Sequence, residues 1–364
     1  MSYKVEVKKL PKSEMELKGS IEAPLLEGAR KKALKKLSER INIAGFRKGH
    51  VPEKVVVEKI GEGNILEEAA EILLSEFYPK ILVDQKIDSI GRPKVSITKL
   101  ATHNPLEFTI TTAVLPIFEL GDYKKVTKDI REKEKSKEVK IEATEKEIND
   151  VVTQIRKNKA HYDWSHSASP FSRATRDKQD NLVHDHPDFE KEENLPEFND
   201  EFAKQVGKFE SVEQMKEKVK ENIIEEKKYR EIEKKRALIM DALVKTVDME
   251  LPDILIESEV EKSLAQMKDD VARAGANFED YLKETKKKEE DLRADLREGA
   301  NKKAKIQLIF NKIAEEEKLA PNKEILEHEV KQILEHYPGA SEESARIYIA
   351  TQLLNREVLK LLEQ

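Results

Sequence analysis

Apolar and polar residues alternate at the start of the chain. Tyr3, Val5 and Val7 take every second position, and so do Met15, Leu17, Gly19 and Ile21, which is the period of strands with one buried face. The spacing changes at Leu25. Leu26, Ala29, Ala33, Leu37 and Ile41 fall three or four residues apart, so a helix with one apolar stripe is predicted from Leu25 to Ile41. Helical spacing returns at Leu66, Ala69, Leu73, Phe77 and Ile81. Pro79 is expected to kink or split that helix, since it has no N–H to give to the ladder. Strands are predicted again at Val95–Ile97 and Leu106–Val114. Residues 1–120 therefore read as one α+β domain.

Beyond residue 120 the alternation does not return. Lys124–Lys140 mixes charges with few apolar residues and suits an extended linker. Thr144 with Glu147 three residues later forms a capping box, opening a helix with a narrow stripe of Ile148, Val151, Val152 and Ile155. The stretch from Ala160 to Leu195 is rich in Ser, His and Asp and reads as a polar loop. Ser211 and Gln214 form a second capping box. The stripe that follows (Val212, Met215, Val219, Ile223, Tyr229, Ile232, Ile239, Leu243) can run to Val247, on the order of 50 Å at ~1.5 Å per residue. Leu251-Pro252 ends it, and Asp253–Ala274 carries Ile254, Ile256, Val260, Leu264 and Met267. These two long helices are expected to form a protruding arm. Further helices are predicted at Phe278–Thr285, Lys288–Glu317, Lys323–His336 and Glu342–Glu363, separated by Pro321 and by Tyr337-Pro338-Gly339. The fold class is an α+β amino-terminal domain followed by a mostly α-helical carboxy-terminal domain with long helical arms, in an elongated multidomain protein.

Composition supports several domains with thin cores. The 364 residues exceed the roughly 250–300 at which a single core stops growing. Charged residues are 38% and aromatics 5%, so the cores must be aliphatic and much of the surface charged helix. With 73 acidic and 67 basic residues the formal net charge is −6, which argues against a dedicated nucleic-acid protein. Any polyanion contact must be local. The absence of cysteine excludes disulfides, thiol nucleophiles and thiolate metal sites. Met1–Val7 carries charges where a signal peptide needs an apolar run, and nowhere do about 18 apolar residues stand together. A soluble cytoplasmic protein is expected.

One segment departs from the acidic balance. Between Leu25 and His50 lie eight bases (Arg30, Lys31, Lys32, Lys35, Lys36, Arg40, Arg47, Lys48) and two acids (Glu27, Glu39), a local +6. Charge runs are often no more than a solvated helix face, but the residues after this helix are unusual. Gly45 and Gly49 bracket Phe46-Arg47-Lys48, His50 follows, and Pro52 closes the segment, so the backbone can turn sharply at both ends. Arg47 and Lys48 can neutralise phosphates, and Phe46 can fill an apolar crevice or stack on a base. Against this stands the ordinary fate of a phenyl ring, burial in its own core.

No catalytic chemistry emerges. There is no Gly-rich phosphate loop, no Gly-x-Ser-x-Gly elbow and no His-Glu-x-x-His helix. His161, His166, His184 and His186 cluster in the polar stretch, but no ligands at helical spacing organise them. No cofactor, metal or catalytic residue is expected.

The run Ala44-Gly45-Phe46-Arg47-Lys48-Gly49-His50-Val51-Pro52, after a basic helix and before Val55-Val56-Val57-Glu58-Lys59-Ile60-Gly61, resembles the ribosome-binding motif of trigger factors, the ribosome-docking chaperones of bacteria. Family members carry Gly-Phe-Arg-x-Gly-x-x-Pro on a loop joining two long helices. By that resemblance Gly45, Phe46, Arg47, Lys48, Gly49 and His50 are the ribosome-binding residues, with His50 where the family often has lysine. Gly121-Asp122-Tyr123-Lys124, Leu195 to Lys204, Leu251 to Glu259 and Asp291 to Arg297 resemble the family too. In trigger factors the helix after Thr144 leads into a prolyl-isomerase domain of the FKBP type. Here Tyr162, Trp164, Phe171 and Phe189 are scattered among polar residues and the stretch is shorter than the roughly 50 residues a domain needs. The isomerase domain is read as lost, and no isomerase activity is expected.

The resemblance thus implies a ribosome-binding domain at 1–120, a charged linker, helix and polar loop in place of the isomerase at 121–195, and a substrate cradle at 196–364. It implies an ATP-independent chaperone at the exit tunnel of the large ribosomal subunit, touching protein and rRNA there and shielding nascent or unfolded chains, with no membrane contact. It also implies a homodimer when off the ribosome. The rival readings are a prolyl isomerase with a degenerate catalytic domain and a ribosome-independent helical adaptor or holdase. Met215, Met240, Met249 and Met267 read as core and not as client contacts.

Overall fold

The structure, a computed structural model, describes residues 2–41, 46, 51–135, 141–167, 188–337 and 339–364. The contacts group them into two units, Met1–Tyr123 with Ala242–Leu361, and Lys124–Asp241 with Leu362–Gln364.

In the first unit, β1 (Tyr3–Leu10) and β2 (Glu14–Ile21) form a hairpin, and β3 (Ser89–Lys99) and β4 (Leu106–Val114) complete an antiparallel sheet in the order β1-β2-β4-β3. Leu17 faces Ile110 and Ile21 faces Leu106 across β2 and β4. With Phe108 these side chains are fully buried, as the alternation predicts. Between β2 and β3 run α1 (Ala23–Arg40), α2 (Glu53–Ile60) and α3 (Glu62–Asp84). Leu26, Ala29 and Ala33 of α1 and Ile65, Ala69, Ala70, Leu73, Leu74, Phe77 and Ile81 of α3 join the sheet residues in one core. The alanines let the helices approach closely, and the larger side chains supply roughly 1.5–3 kcal/mol each on burial. Thr112, buried on the same strand, accepts a bond at 2.9 Å from the Tyr78 hydroxyl, so its hydroxyl is partnered.

Pro79 does not split its helix, contrary to expectation. α3 is assigned unbroken through it, because Phe77 on one side and Ile81 on the other are both held in the core and offset the missing hydrogen bond. The described helices flanking residues 41–52 are also unequal. α1 has 18 residues and α2 only eight, where the resemblance implies two long helices.

The remainder of this unit is helical. α8 (Asp253–Arg273) pairs with α10 (Glu289–Glu316). Lys268 with Glu289, Glu261 with Arg293, and Glu257 and Asp253 with Arg297 run in opposite sequence directions, so the pair is an antiparallel hairpin. Ile256, Val260 and Leu264 are buried on α8, and Leu292 and Ala300 on α10. The short α9 (Phe278–Thr285) joins them, its first turn capped by Asn277, which accepts the Glu279 N–H at 2.7 Å. α11 (Lys323–His336) and α12 (Glu342–Glu363) meet around Val330, Ala345, Ile349 and Leu353. Gln307 and Asn355 exchange side-chain amide bonds at 3.1 and 2.8 Å between α10 and α12. The sheet also meets these helices. Ser13 donates to the Glu250 carbonyl at 3.0 Å, and a Cβ on Gly91 would lie 1.9 Å from Cδ1 of Ile254.

In the second unit, the predicted linker is in part a helix, α4 (Tyr123–Lys135). Val126 and Ile130 are half-buried, and Thr127 and Glu134 are buried. The polar Thr127 and Glu134 take buried positions beside the apolar ones, which hides the stripe from a reading that counts apolar residues. Residues 136–140 lie outside the described residues. α5 (Glu145–Ser167) starts at the expected box: the Thr144 N–H donates to Glu147 at 2.9 Å and the Glu147 N–H to Thr144 Oγ1 at 3.3 Å. It continues past Ala160 into the stretch read as loop. Val152 is buried but Val151 is 37% exposed, so the core stripe is narrower than predicted.

Residues 188–195 turn back onto α5. Phe189 and Leu195 pack on Ala160 and Trp164, with Phe189 edge-on to His161 at 4.4 Å. Lys157 pairs with Glu190 at 2.5 Å, and Arg156 pairs with Glu192 and donates to the Pro196 carbonyl at 2.7 Å. Next come α6 (Asp200–Gly207) and α7 (Val212–Thr246). Phe202, Ala203 and Met215 form a small core with Ile155 and Phe198. Ser211 Oγ accepts the Gln214 N–H at 3.3 Å, while Gln214 accepts from Glu210 and not from Ser211. Half of that capping box is therefore present. Further along α7, Tyr229 and Ile232 are exposed, although the spacing counted them in the apolar stripe.

Candidate functional site

Both ends of the 41–52 connection are held by ordinary helix chemistry. α1 closes where the Ile41 N–H donates to the Leu37 carbonyl at 3.0 Å. α2 opens on Pro52, whose carbonyl accepts from Val55 at 3.0 Å and Val56 at 3.2 Å; proline serves there because no N–H is needed before the first turn. Val56 is buried, and Val51, Val57 and Ile60 pack against the core. At the far end Gly61 has φ +88° and closes α2 by donating to Val57 at 2.9 Å. Its carbonyl accepts from Ile65, so one glycine ends α2 and starts α3 at a φ that disfavours other residues.

Of the six residues singled out, Phe46 is described, and it is 41% exposed. Gly45, Arg47, Lys48, Gly49 and His50 lie outside the described residues.

The basic helix beside the connection is less uniformly free than its charge count implies. Arg30 donates through Nε and Nη2 to the two carboxylate oxygens of Glu62 at 2.5 and 2.8 Å, and through Nη1 to Glu53 at 2.7 Å. Lys36 pairs with Glu68, and Lys32 lies 3.9 Å from Glu76. Lys31, Lys35 and Arg40 are exposed and have no acidic partner within 4.0 Å among the described residues. The Arg30 guanidinium holds the Glu62 carboxyl below the usual carboxylate range. Of the acids in this stretch, Glu27 contacts His103 at 2.6 Å. Three of the six cations on α1 thus have no acidic partner among the described residues, while Arg30 and Lys36 are paired and Lys32 loosely so.

Exposed apolar side chains form a second kind of feature, one that periodicity alone did not single out. In the first unit Val7, Leu115 and Ile117, the last 97% exposed, border a groove of about 890 Å³ that also takes in Leu10, Met15 and Ile87. Elsewhere Tyr337, Ile347 and Tyr348 are exposed around the α11–α12 connection, and Tyr229, Ile232 and Leu238 on α7. Single exposed apolar residues are ordinary; groups of them are candidates for contact with other chains. Among the methionines, Met215 and Met249 are buried. His161 and His166 lie on α5, whereas His184 and His186 are outside the described residues. Among the described residues no helix is long and apolar enough to cross a membrane.

The model of the bacterial trigger factor protein matches residues 3–155, and that of its C-terminus matches residues 211–363. The chain belongs to the bacterial trigger factor family of chaperones. The trigger factor of Alkaliphilus oremlandii is 28% identical over 387 aligned residues, covering 91% of this chain and 90% of that protein. That of Caldanaerobacter subterraneus is 26% identical over 404, covering 95% and 93%. A solved structure of the trigger factor chaperone, from work on its promiscuous substrate recognition in folding and assembly, superposes with a TM-score of 0.52 at 22% identity, covering 99% of each chain. That likeness concerns the fold. Between the two matched regions lie residues 156–210, of which 156–167 extend α5 and 188–210 include the return onto it, α6 and the entry to α7. The 20 residues from 168 to 187 are far fewer than the roughly 50 a domain needs, so the chain lacks the family's middle isomerase region.

Proposed function

We propose that this protein docks through Gly45, Phe46, Arg47, Lys48, Gly49 and His50 beside the polypeptide exit tunnel of the large ribosomal subunit, contacting protein and rRNA, and shields nascent or unfolded chains without ATP. The observation that carries the reading is Phe46: an aromatic residue 41% exposed in the connection after a helix whose Lys31, Lys35 and Arg40 face solvent. An aromatic anchor with cations beside it suits a surface made of protein crevices and phosphates. In this reading residues 1–120 dock, 121–195 connect, and 196–364 hold clients, in the cytoplasm. The separated apolar groups at Tyr229, Ile232 and Leu238, and at Ile347 and Tyr348, supply weak contacts that suit promiscuous, short-lived holding. With no isomerase region, the protein holds chains and does not catalyse their isomerisation.

Co-sedimentation of the full chain with purified ribosomes over a salt series tests the reading. Binding at low salt that weakens steadily as salt rises is expected. Failure to sediment at any salt favours a ribosome-independent holdase.

A further inference from the structure

We propose that Arg30 is a positioning residue for the docking loop: it ties the start of α2, which directly follows the loop, to the start of α3 and does not itself touch the ribosome. This rests on the docking reading and adds to it a residue that charge counting would place among the direct contacts. Three donors of Arg30 are engaged internally, two on Glu62 and one on Glu53. The side chain is 20% exposed, which leaves little of the guanidinium for an outside phosphate.

The geometry explains what the clamp does. Glu53 is the first residue of α2 and Glu62 the first of α3, so one guanidinium on α1 gathers the amino-terminal turns of the next two helices. Carboxylates are favoured at those turns by the helix dipole, and a planar fork bridges two of them in a way that a lysine point charge cannot. α2 needs such a tie. It has eight residues and buries only Val56 fully, and it follows the loop directly through Pro52. A tilt of α2 therefore displaces the loop that Phe46 belongs to. If loss of the clamp leaves α2 correctly placed about a tenth of the time, apparent affinity falls about tenfold with no contact removed.

The test compares full-length wild type with Arg30→Met, Arg30→Lys, Arg30→Glu and the swap Arg30→Glu/Glu62→Arg. Ribosome affinity is measured at several salt concentrations beside thermal unfolding, with Phe46, Arg47 and Lys48 changed to alanine as the docking control. The expected result is an affinity loss of about tenfold for Arg30→Met, partial for Arg30→Lys, and recovery in the swap relative to Arg30→Glu. The dependence of log affinity on log salt should keep its slope. A slope shallower by roughly 0.7–0.9 marks a lost phosphate contact and overturns the proposal, as does unchanged affinity. So does a lowered unfolding midpoint with unchanged affinity of the folded fraction, which is a merely structural role. If the triple-alanine control binds like wild type while Arg30→Met is weakened, the loop reading itself fails and this inference falls with it.

Discussion

Gly19 on β2 and Phe108 on β4 are register partners, and a Cβ built on Gly19 would lie 2.7 Å from Cζ of the Phe108 ring and 2.7 Å from the Lys4 carbonyl oxygen. The ring occupies the space that a side chain at position 19 would need, and the carbonyl belongs to the neighbouring strand, so neither can yield cheaply. Gly19→Ala should therefore overpack the centre of the sheet and cost about 1–3 kcal/mol. Chemical denaturation reads the effect; unchanged stability would show that the hairpin adjusts.

A second prediction concerns acid. Lys227, paired at 2.6 Å, and the Thr144 cap hold the Glu147 carboxyl at about 2, against an ordinary value of 4.5. A carboxyl lowered on folding stabilises above its unfolded value, and that contribution is lost as pH falls through the folded one. The stability difference between wild type and Glu147→Gln should be present at neutral pH and shrink between about pH 4.5 and 2. A difference independent of pH in that window would mean that the ion pair contributes nothing.

Trp164 is the only tryptophan in the chain, and it packs with Phe189, Ala160 and Leu195. Phe189→Ala should open this cluster to water and shift the intrinsic tryptophan emission to longer wavelength. Far-ultraviolet dichroism should change little, because α5 has its own cap at Thr144. An unshifted emission would contradict the packing of residues 188–195 on α5.

In a proline-limited refolding reaction the protein should suppress aggregation without shortening the slow phase, with or without ATP. Acceleration of that phase would revive the isomerase reading.

Much of this fold is legible in the residues themselves. Phe278–Thr285, Lys323–His336 and Glu342–Glu363 are helices with the predicted ends, the last two set off by Pro321 and by Tyr337-Pro338-Gly339. The hairpin at Tyr3–Ile21 follows from strict alternation. What periodicity cannot supply is the choice of partner. The apolar stripe of Asp253–Arg273 does not say that it meets Glu289–Glu316, nor does the charge of Arg30 reveal that Glu53 and Glu62, 23 and 32 positions downstream, will occupy it. α4 escaped for another reason, since Thr127 and Glu134 take inward positions that a count of apolar residues passes over.

In the 44–52 segment, glycines on both sides of an aromatic and two cations set the motif apart, since that combination is rare in a polar turn. Of the six residues it names, the structure describes Phe46, which is 41% exposed. The most direct measurement is the ribosome affinity of the full chain with Phe46, Arg47 and Lys48 replaced by alanine, beside wild type at moderate salt. An anchoring aromatic and its neighbouring cations carry roughly 1–2 kcal/mol or more each, so affinity should fall at least about tenfold while the unfolding midpoint stays in place. Equal affinity of the two proteins would contradict the account.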